Sequence, residues 1–172
     1  MKVIKRAALE TNWNEIKGMI QAGAFTPGDE IEINGCLWRV LDVEDNGILI
    51  WKHTGIEEFS VFNRNGSNEY EGSDLQKFLQ GEYKDELPAE MQELMAEGGP
   101  FALSMEEIGK YLPTEGERIA ADNDGDTISY WTRSAYRGYG GGAWYVYSAG
   151  LATSFHATLA IRCAPACKLL IS

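Results

Sequence analysis

Tyr130 to Gly150 reads YWTRSAYRGYGGGAWYVYSAG. Five of the eight tyrosines and two of the five tryptophans stand in it, with two arginines and no acidic residue, in a chain whose formal charge is −11. Tyr and Trp offer rigid contact area at low entropic cost, and Ser, Gly and Ala supply adaptable spacing, which is the composition of a binding loop set. Strands favour the same aromatics, so a strand-rich core segment is the competing reading. Alternation predicts a strand from Tyr130 to Arg133 and another from Ala143 to Tyr147, with Trp144 and Val146 turned one way and Tyr145 and Tyr147 the other. That second strand would have one buried and one displayed face. Between the two strands, Ala135 to Gly142 reads as a flexible loop.

Outward from this stretch the pattern stays β-like toward the C-terminus, with short strands expected at Leu151 to Phe155, Leu159 to Arg162 and Lys168 to Ile171. The N-terminal third gives a complementary signal. Asn12 and Glu15 form a capping-box pattern ahead of Trp13, Ile16 and Ile20, and Gly23 closes a short docking helix over residues 12–23. Glu30-Ile31-Glu32-Ile33 then meets Asn34-Gly35, the strongest two-residue hairpin signal, and Cys36 to Val43 is the return strand. A turn at Glu44 to Gly47 leads into Ile48 to Trp51, completing an antiparallel meander. Residues 54–72 are polar, weakly periodic and rich in Gly and Asn, and predict a long surface loop.

The middle is helical. Ser73 with Gln76, and Ser104 with Glu107, form capping boxes ahead of apolar stripes; Pro88 suits a first helical position before Met91, Leu94 and Met95, and Pro113 stops the last helix. Phe101 to Leu103 is a short strand before it. The expectation is one α+β domain spanning residues 1–172, with β segments toward both ends and helices between. A chain of 172 residues is long enough for one well-buried core.

Charge narrows the function classes. A pI near 4.6 with 15 Lys and Arg spread along the chain supplies no basic face for phosphates, so a nucleic-acid partner is not expected. No segment approaches the ~20 apolar residues of a membrane span, and the start MKVIKRAALE has no signal-peptide core, so synthesis in the cytoplasm without membrane insertion is expected. Cys36, Cys163 and Cys167 are an odd number in a mid-sized chain and are expected to be reduced rather than paired in a disulfide framework.

Chemistry-bearing motifs are sparse. Asp122 to Asp126 alternates acidic side chains as calcium loops do, but an EF-hand needs Gly sixth and Glu twelfth, whereas here the Gly is fourth and the twelfth residue is Arg133. An Asx-rich turn is the simpler reading. Cys163 and Cys167 could act as a redox pair or hold a soft metal, yet only Cys36, His53 and His156 remain to complete a zinc site, so buried thiols beside Pro165 are favoured. Gly138 to Gly142 precedes a strand rather than a helix, so it is no phosphate fingerprint. His156 has no accompanying nucleophile motif and reads as packed or as a ligand contact. No catalytic residue, metal or cofactor is assigned, and the chain is expected not to be an enzyme.

Gly28 to Ile31 leading to Leu37-Trp38-Arg39-Val40-Leu41, Tyr70 to Leu79, Phe101 to Glu107, Tyr130-Trp131-Thr132-Arg133-Ser134 and Ala160-Ile161-Arg162 occur in this order. The chain thereby resembles, from about Trp13 to its C-terminus, an uncharacterised family of bacterial and prophage domains with a C-type lectin-like fold. One branch of that fold comprises the variable proteins of diversity-generating retroelements, the phage tropism determinants among them. This resemblance implies that residues 130–172 form a ligand-binding surface for a protein or glycan on a cell surface. It makes Trp131, Arg133, Ser134 and Arg162 scaffold. Tyr136, Arg137, Tyr139, Tyr145, Tyr147, Thr153, Phe155 and His156 become candidate contacts, and Trp144 could serve as either. It allows display on a virion or by another route. The Glu-Pro-Asn and Trp-Asn-Asp motifs of calcium-dependent sugar binding are absent. The alternative is a thiol- or metal-dependent oxidase, because formylglycine-generating enzymes share the fold and use a C-terminal cysteine pair. Cys163 and Cys167 stand one residue closer than that pair and lack its surrounding motif.

Overall fold

The computed structural model describes residues 12–138 and 140–171; residues 1–11, Tyr139 and Ser172 lie outside them. The architecture is mixed α+β with largely antiparallel sheets, as the sequence predicts. Helix α1 (Trp13–Gln21) leads into strands β1 (Glu30–Ile33), β2 (Cys36–Glu44), β3 (Gly47–Lys52) and β4 (Phe59–Val61). Helix α2 (Asp74–Phe78) runs on as a π turn (Leu79–Tyr83), followed by α3 (Ala89–Leu94), β5 (Phe101–Ala102) and α4 (Met105–Tyr111). A small hairpin, β6 (Ala120–Ala121) and β7 (Thr127–Ile128), precedes β8 (Tyr130–Ala135), β9 (Gly142–Val146), β10 (Ala152–His156), β11 (Ala160–Arg162) and β12 (Pro165–Leu170).

The meander forms because its turns are chemically specified. Asn34 and Gly35 both take positive φ (52° and 81°), the backbone of a type I′ turn whose twist matches the flanking strands. Asn46 takes the left-handed conformation in the second turn (φ 57°). The last strand, β12, then inserts antiparallel between β3 and β5, giving a sheet of order β1-β2-β3-β12-β5. All six residues of β3 are buried because the sheet is covered on both faces. Ile48 and Ile50 enter one core with α1, α2, the π turn and α3; Leu49 and Trp51 enter another with α4 and the β6–β7 hairpin. Each such side chain stabilises by about 1.5–3 kcal/mol.

The second sheet has order β10-β9-β8-β11-β4, with β11 pairing parallel to β8 and the remaining pairs antiparallel. Two adjacent residues of β8 join it to both cores: Trp131 enters the first and Tyr130 the second. Both polar handles are satisfied. Trp131 Nε1 donates to the Ser60 carbonyl at 3.0 Å, and Tyr130 Oη donates to the Arg118 carbonyl at 2.6 Å.

Three expectations are corrected. Residues 54–72 are not purely a surface loop: they contain β4, and Ile56 and Phe62 are fully buried. Their apolar side chains arrive singly, so no periodicity betrays them. Pro88 caps α3 from outside rather than opening it, with ψ 140°. The helix begun at Asp74 is extended by a π turn that side-chain spacing does not announce.

Candidate functional site

The surface of interest is carried by β8, β9 and β10 and by the connections between them. Its foundation is rigid. Thr132 is buried and its hydroxyl donates to the Trp144 carbonyl at 2.9 Å, tying β8 to β9 across an irregularity in their register. Arg133 donates to Glu107 at 2.5 Å and to the Ala102 carbonyl at 2.8 Å, and its guanidinium lies over the Phe101 ring. Burial tends to raise the Glu107 pKa, but the Arg133 hydrogen bond and the Ser104 N–H outweigh it, so the carboxyl is held below its ordinary 4.5. Ser134 Oγ accepts the Met105 N–H at 2.9 Å, and Arg162 donates to the Ile56 carbonyl.

The strand register sorts the candidate contacts onto two faces. Tyr145 lies opposite both Trp131 and Thr153, and Phe155 lies opposite Ala143, so these residues share one face. On it Tyr145, Phe155 and Trp131 form a triangle of rings with centroids 5.1–6.3 Å apart, and Phe62 meets Trp131 edge-on at 5.4 Å. Burial pushes the Tyr145 phenol pKa up, with Tyr147 adding to it. Trp144 and His156 lie opposite Ser154 and Gly142 on the other face, where the Trp144 ring stands edge-on to Tyr136 at 5.2 Å.

The expectation of one displayed face on β9 is therefore corrected. Tyr145, Trp144, Phe155 and Tyr136 are half-buried, each against another ring, and both faces are partly covered. The exposed candidates are Arg137, Tyr147, Thr153 and His156, with Tyr147 at 50% exposure. Leu151, at 52%, was not among the expected contacts. It stands one residue beyond the β9–β10 turn, and its carbonyl accepts the Tyr147 N–H at 2.6 Å. Tyr139 lies outside the described residues.

Two connections hold this surface in place. Gly150 takes φ +94° in the β9–β10 turn and packs directly on the Glu115 backbone, leaving no room for a Cβ. The loop from Tyr136 to Gly142 is closed by the Tyr136 N–H donating to the Gly142 carbonyl at 3.0 Å. Asn68, from within the predicted surface loop over residues 54–72, donates to that same carbonyl at 2.9 Å. Beside it, Arg137, Ser134, Ala135, Ser104, Met105 and Glu106 line a hollow of about 370 Å³. His156 Nδ1 sits 2.7 Å from the Thr158 hydroxyl and accepts the Thr158 N–H at 3.3 Å, so the ring is oriented by its own turn.

The remaining motifs resolve into structure. Cys163 and Cys167 are buried in the first core; desolvation pushes the Cys163 thiol up to about 12 and the Cys167 thiol higher still. A thiol held protonated and out of solvent is a poor nucleophile and a poor metal ligand. Asp122, Asp124 and Asp126 offer carboxylate oxygens within 4.8 Å of one another. Asp122 Oδ1, however, accepts the N–H groups of Asp124 and Asp126 at 2.9 and 3.0 Å, which is an Asx turn closing the β6–β7 hairpin. Sequence reasoning missed a buried ionic group: Glu30 Oε1 lies 3.1 Å from His53 Nε2 and 3.7 Å from Arg39 Nε, without hydrogen-bond alignment. The cross-strand pairing of Glu30 with Arg39 follows from the Asn34-Gly35 turn and was the available signal. No described helix is long and apolar enough to cross a membrane. No protein-family model, curated protein or solved structure matches the chain.

Proposed function

We propose that the chain is a non-enzymatic binding module of C-type lectin-like fold that presents the β8–β10 surface to a protein or glycan ligand at a cell surface. One observation carries this reading. Exposed Arg137, Tyr147, Thr153 and His156 surround half-buried rings that rest on a buried, hydrogen-bonded frame of Trp131, Thr132 and Arg133. Aromatic anchors on a preorganised frame, ringed by adaptable polar contacts, are how binding surfaces concentrate affinity. The exposed positions also suit diversification, because they can vary without disturbing either core. The retroelement relationship is part of the proposal on that account. Its display platform would be a virion or another carrier.

The deeply buried, protonated state of Cys163 and Cys167 counts against the oxidase alternative. The test has two parts. Sequencing the gene's 3′ end from many sibling clones should reveal substitutions at adenines, concentrated at Arg137, Tyr147, Thr153 and His156. An invariant 3′ end removes the diversification. Arrays of glycans and of bacterial surface proteins, probed with the full chain, should yield a ligand whose affinity falls about thirtyfold in Trp144→Ala, the size of a central interface residue at ~2 kcal/mol. Affinity unchanged by substitution at all four exposed positions would remove the surface from consideration.

A further inference from the structure

A separate cavity of about 240 Å³ lies between the β1–β2 turn, the end of β3 and the π turn, and none of its lining residues belongs to the β8–β10 surface. Its helical wall is Tyr83, the last residue of the π turn. π turns are rare and recur at functional sites, because the extra residue per turn re-aims a side chain. The Tyr83 side chain is 3% exposed, and its hydroxyl meets no hydrogen-bond partner among the described residues. A buried hydroxyl without a partner is unusual and calls for one.

The opposite wall includes Gly55, at φ +66°, packed so closely on Cys36 that a Cβ would come within 2.4 Å of its Sγ. Trp38 and Leu87 supply apolar surface. The charges are unequal: Glu57, Glu58 and Glu86 face the cavity against Lys52 alone. Lys52 is already engaged, with Nζ 3.3 Å from Glu58 Oε1 and 5.4 Å from the centre of the Tyr83 ring. Glu57 is 3.6 Å from Arg162, which leaves Glu86 at the exposed rim. Among the described residues an anion would find no unengaged cation here, whereas an ammonium group would find a carboxylate at the rim and a neutral phenol oxygen to receive one of its N–H bonds. From this geometry we infer that the cavity is a binding site for a small organic amine. The ammonium group would lie between Glu86 and the Tyr83 hydroxyl, and the carbon chain against Trp38 and Leu87.

Three probes of equal length separate the contributions: n-butylammonium, butan-1-ol and n-butyrate, titrated into the ¹⁵N-labelled full chain. Butylammonium should give saturable shifts at the Cys36, Gly55 and Tyr83 amides in the millimolar range, butanol weaker ones and butyrate none. Tyr83→Phe keeps the ring and removes the partnerless hydroxyl, so its thermal midpoint should hold or rise while butylammonium binding weakens about three- to tenfold. Butyrate or butanol binding as tightly as butylammonium would overturn the inference. So would the absence of saturable shifts, or a Tyr83→Phe chain that binds butylammonium unchanged.

Discussion

Replacing Gly150 by Ala tests whether the β9–β10 hairpin is docked as tightly as the structure shows. Two costs arise from different physics. At φ +94° a side chain meets the backbone strain that L-residues ordinarily avoid, about 1–2 kcal/mol. The new Cβ would also lie 2.1 Å from the Glu115 carbonyl oxygen and 2.7 Å from its carbon, where ordinary contact begins at 3.4 Å. The obstacle is backbone on both sides, so no side-chain rotation relieves it. Either the turn or the Glu115 loop has to retreat by roughly 1.3 Å, and forced shifts of this kind cost about 1–3 kcal/mol. Together the loss is about 2–5 kcal/mol, a large share of the ~5–15 kcal/mol that holds a domain folded. Urea unfolding should show a lowered midpoint with an unchanged slope, since the surface exposed on unfolding is the same. Gly140→Ala is the control: a Cβ there has no neighbour within 4 Å among the described residues, and its effect should stay within about 0.5 kcal/mol. A loss below about 1 kcal/mol in Gly150→Ala would refute the docking of the turn, and with it the fixed placement of Tyr147 and Leu151.

Because Glu107 has a folded-state pKa below 4.5, its contribution to stability is present above that pH and lost as pH falls through the folded value. The urea midpoint should fall less steeply on acidification below pH 4.5 in Glu107→Gln than in the parent chain, and parallel curves would show that the Arg133 pairing adds nothing. Thiol titration of the native protein at pH 8 should label Cys36 and leave Cys163 and Cys167 intact until denaturant is added, since their burial holds both thiols protonated. Rapid native labelling of Cys163 would contradict the packing. Trp131→Ala removes the ring shared by Phe62, Tyr145 and Phe155 and should cost about 3–5 kcal/mol by equilibrium unfolding. A cost below about 1.5 kcal/mol would mean that the aromatic face is not integral to the core.

The parts of the fold legible in sequence are those set by local chemistry. Asn34-Gly35 specifies a turn because both residues tolerate positive φ, and Ser104 with Glu107 specifies a helix start because each satisfies a backbone group of the other. Strand alternation located β8 and β9 to within about two residues. What escaped was set by partners distant in the chain. Phe62 is buried in the first core, edge-on to Trp131, and Ile56 in the second core with Ala120 and Tyr130, all of them distant in the chain. Tyr83 reaches its cavity through a π turn, which leaves no hydrophobic period to recognise. Glu30 and His53 meet only because two hairpins bring β1 and the end of β3 together.

The same distinction explains why the aromatic stretch could be read both as core and as binding surface. Alternation says which side chains share a face, but not what covers that face. On β9 the face bearing Tyr145 is covered by Trp131 and Phe155, and the face bearing Trp144 is covered in part by Tyr136. Each ring leaves an edge to solvent, so neither reading alone describes it. A half-buried ring gains rigidity from its buried part, and rigidity lowers the entropic cost of ordering its exposed edge against a ligand. Residues exposed throughout, such as Tyr147 and Arg137, lack that advantage but can change without cost to the core. The proposed site thus divides into fixed anchors, Trp144, Tyr145 and Phe155, and freely variable positions, Arg137, Tyr147, Thr153 and His156. A ligand that met only the variable set would bind weakly, while one that met only the anchors would not be distinguished from others. In the proposed site affinity and selectivity would therefore fall to different residues, both held in register by the buried Thr132 and the turn at Gly150.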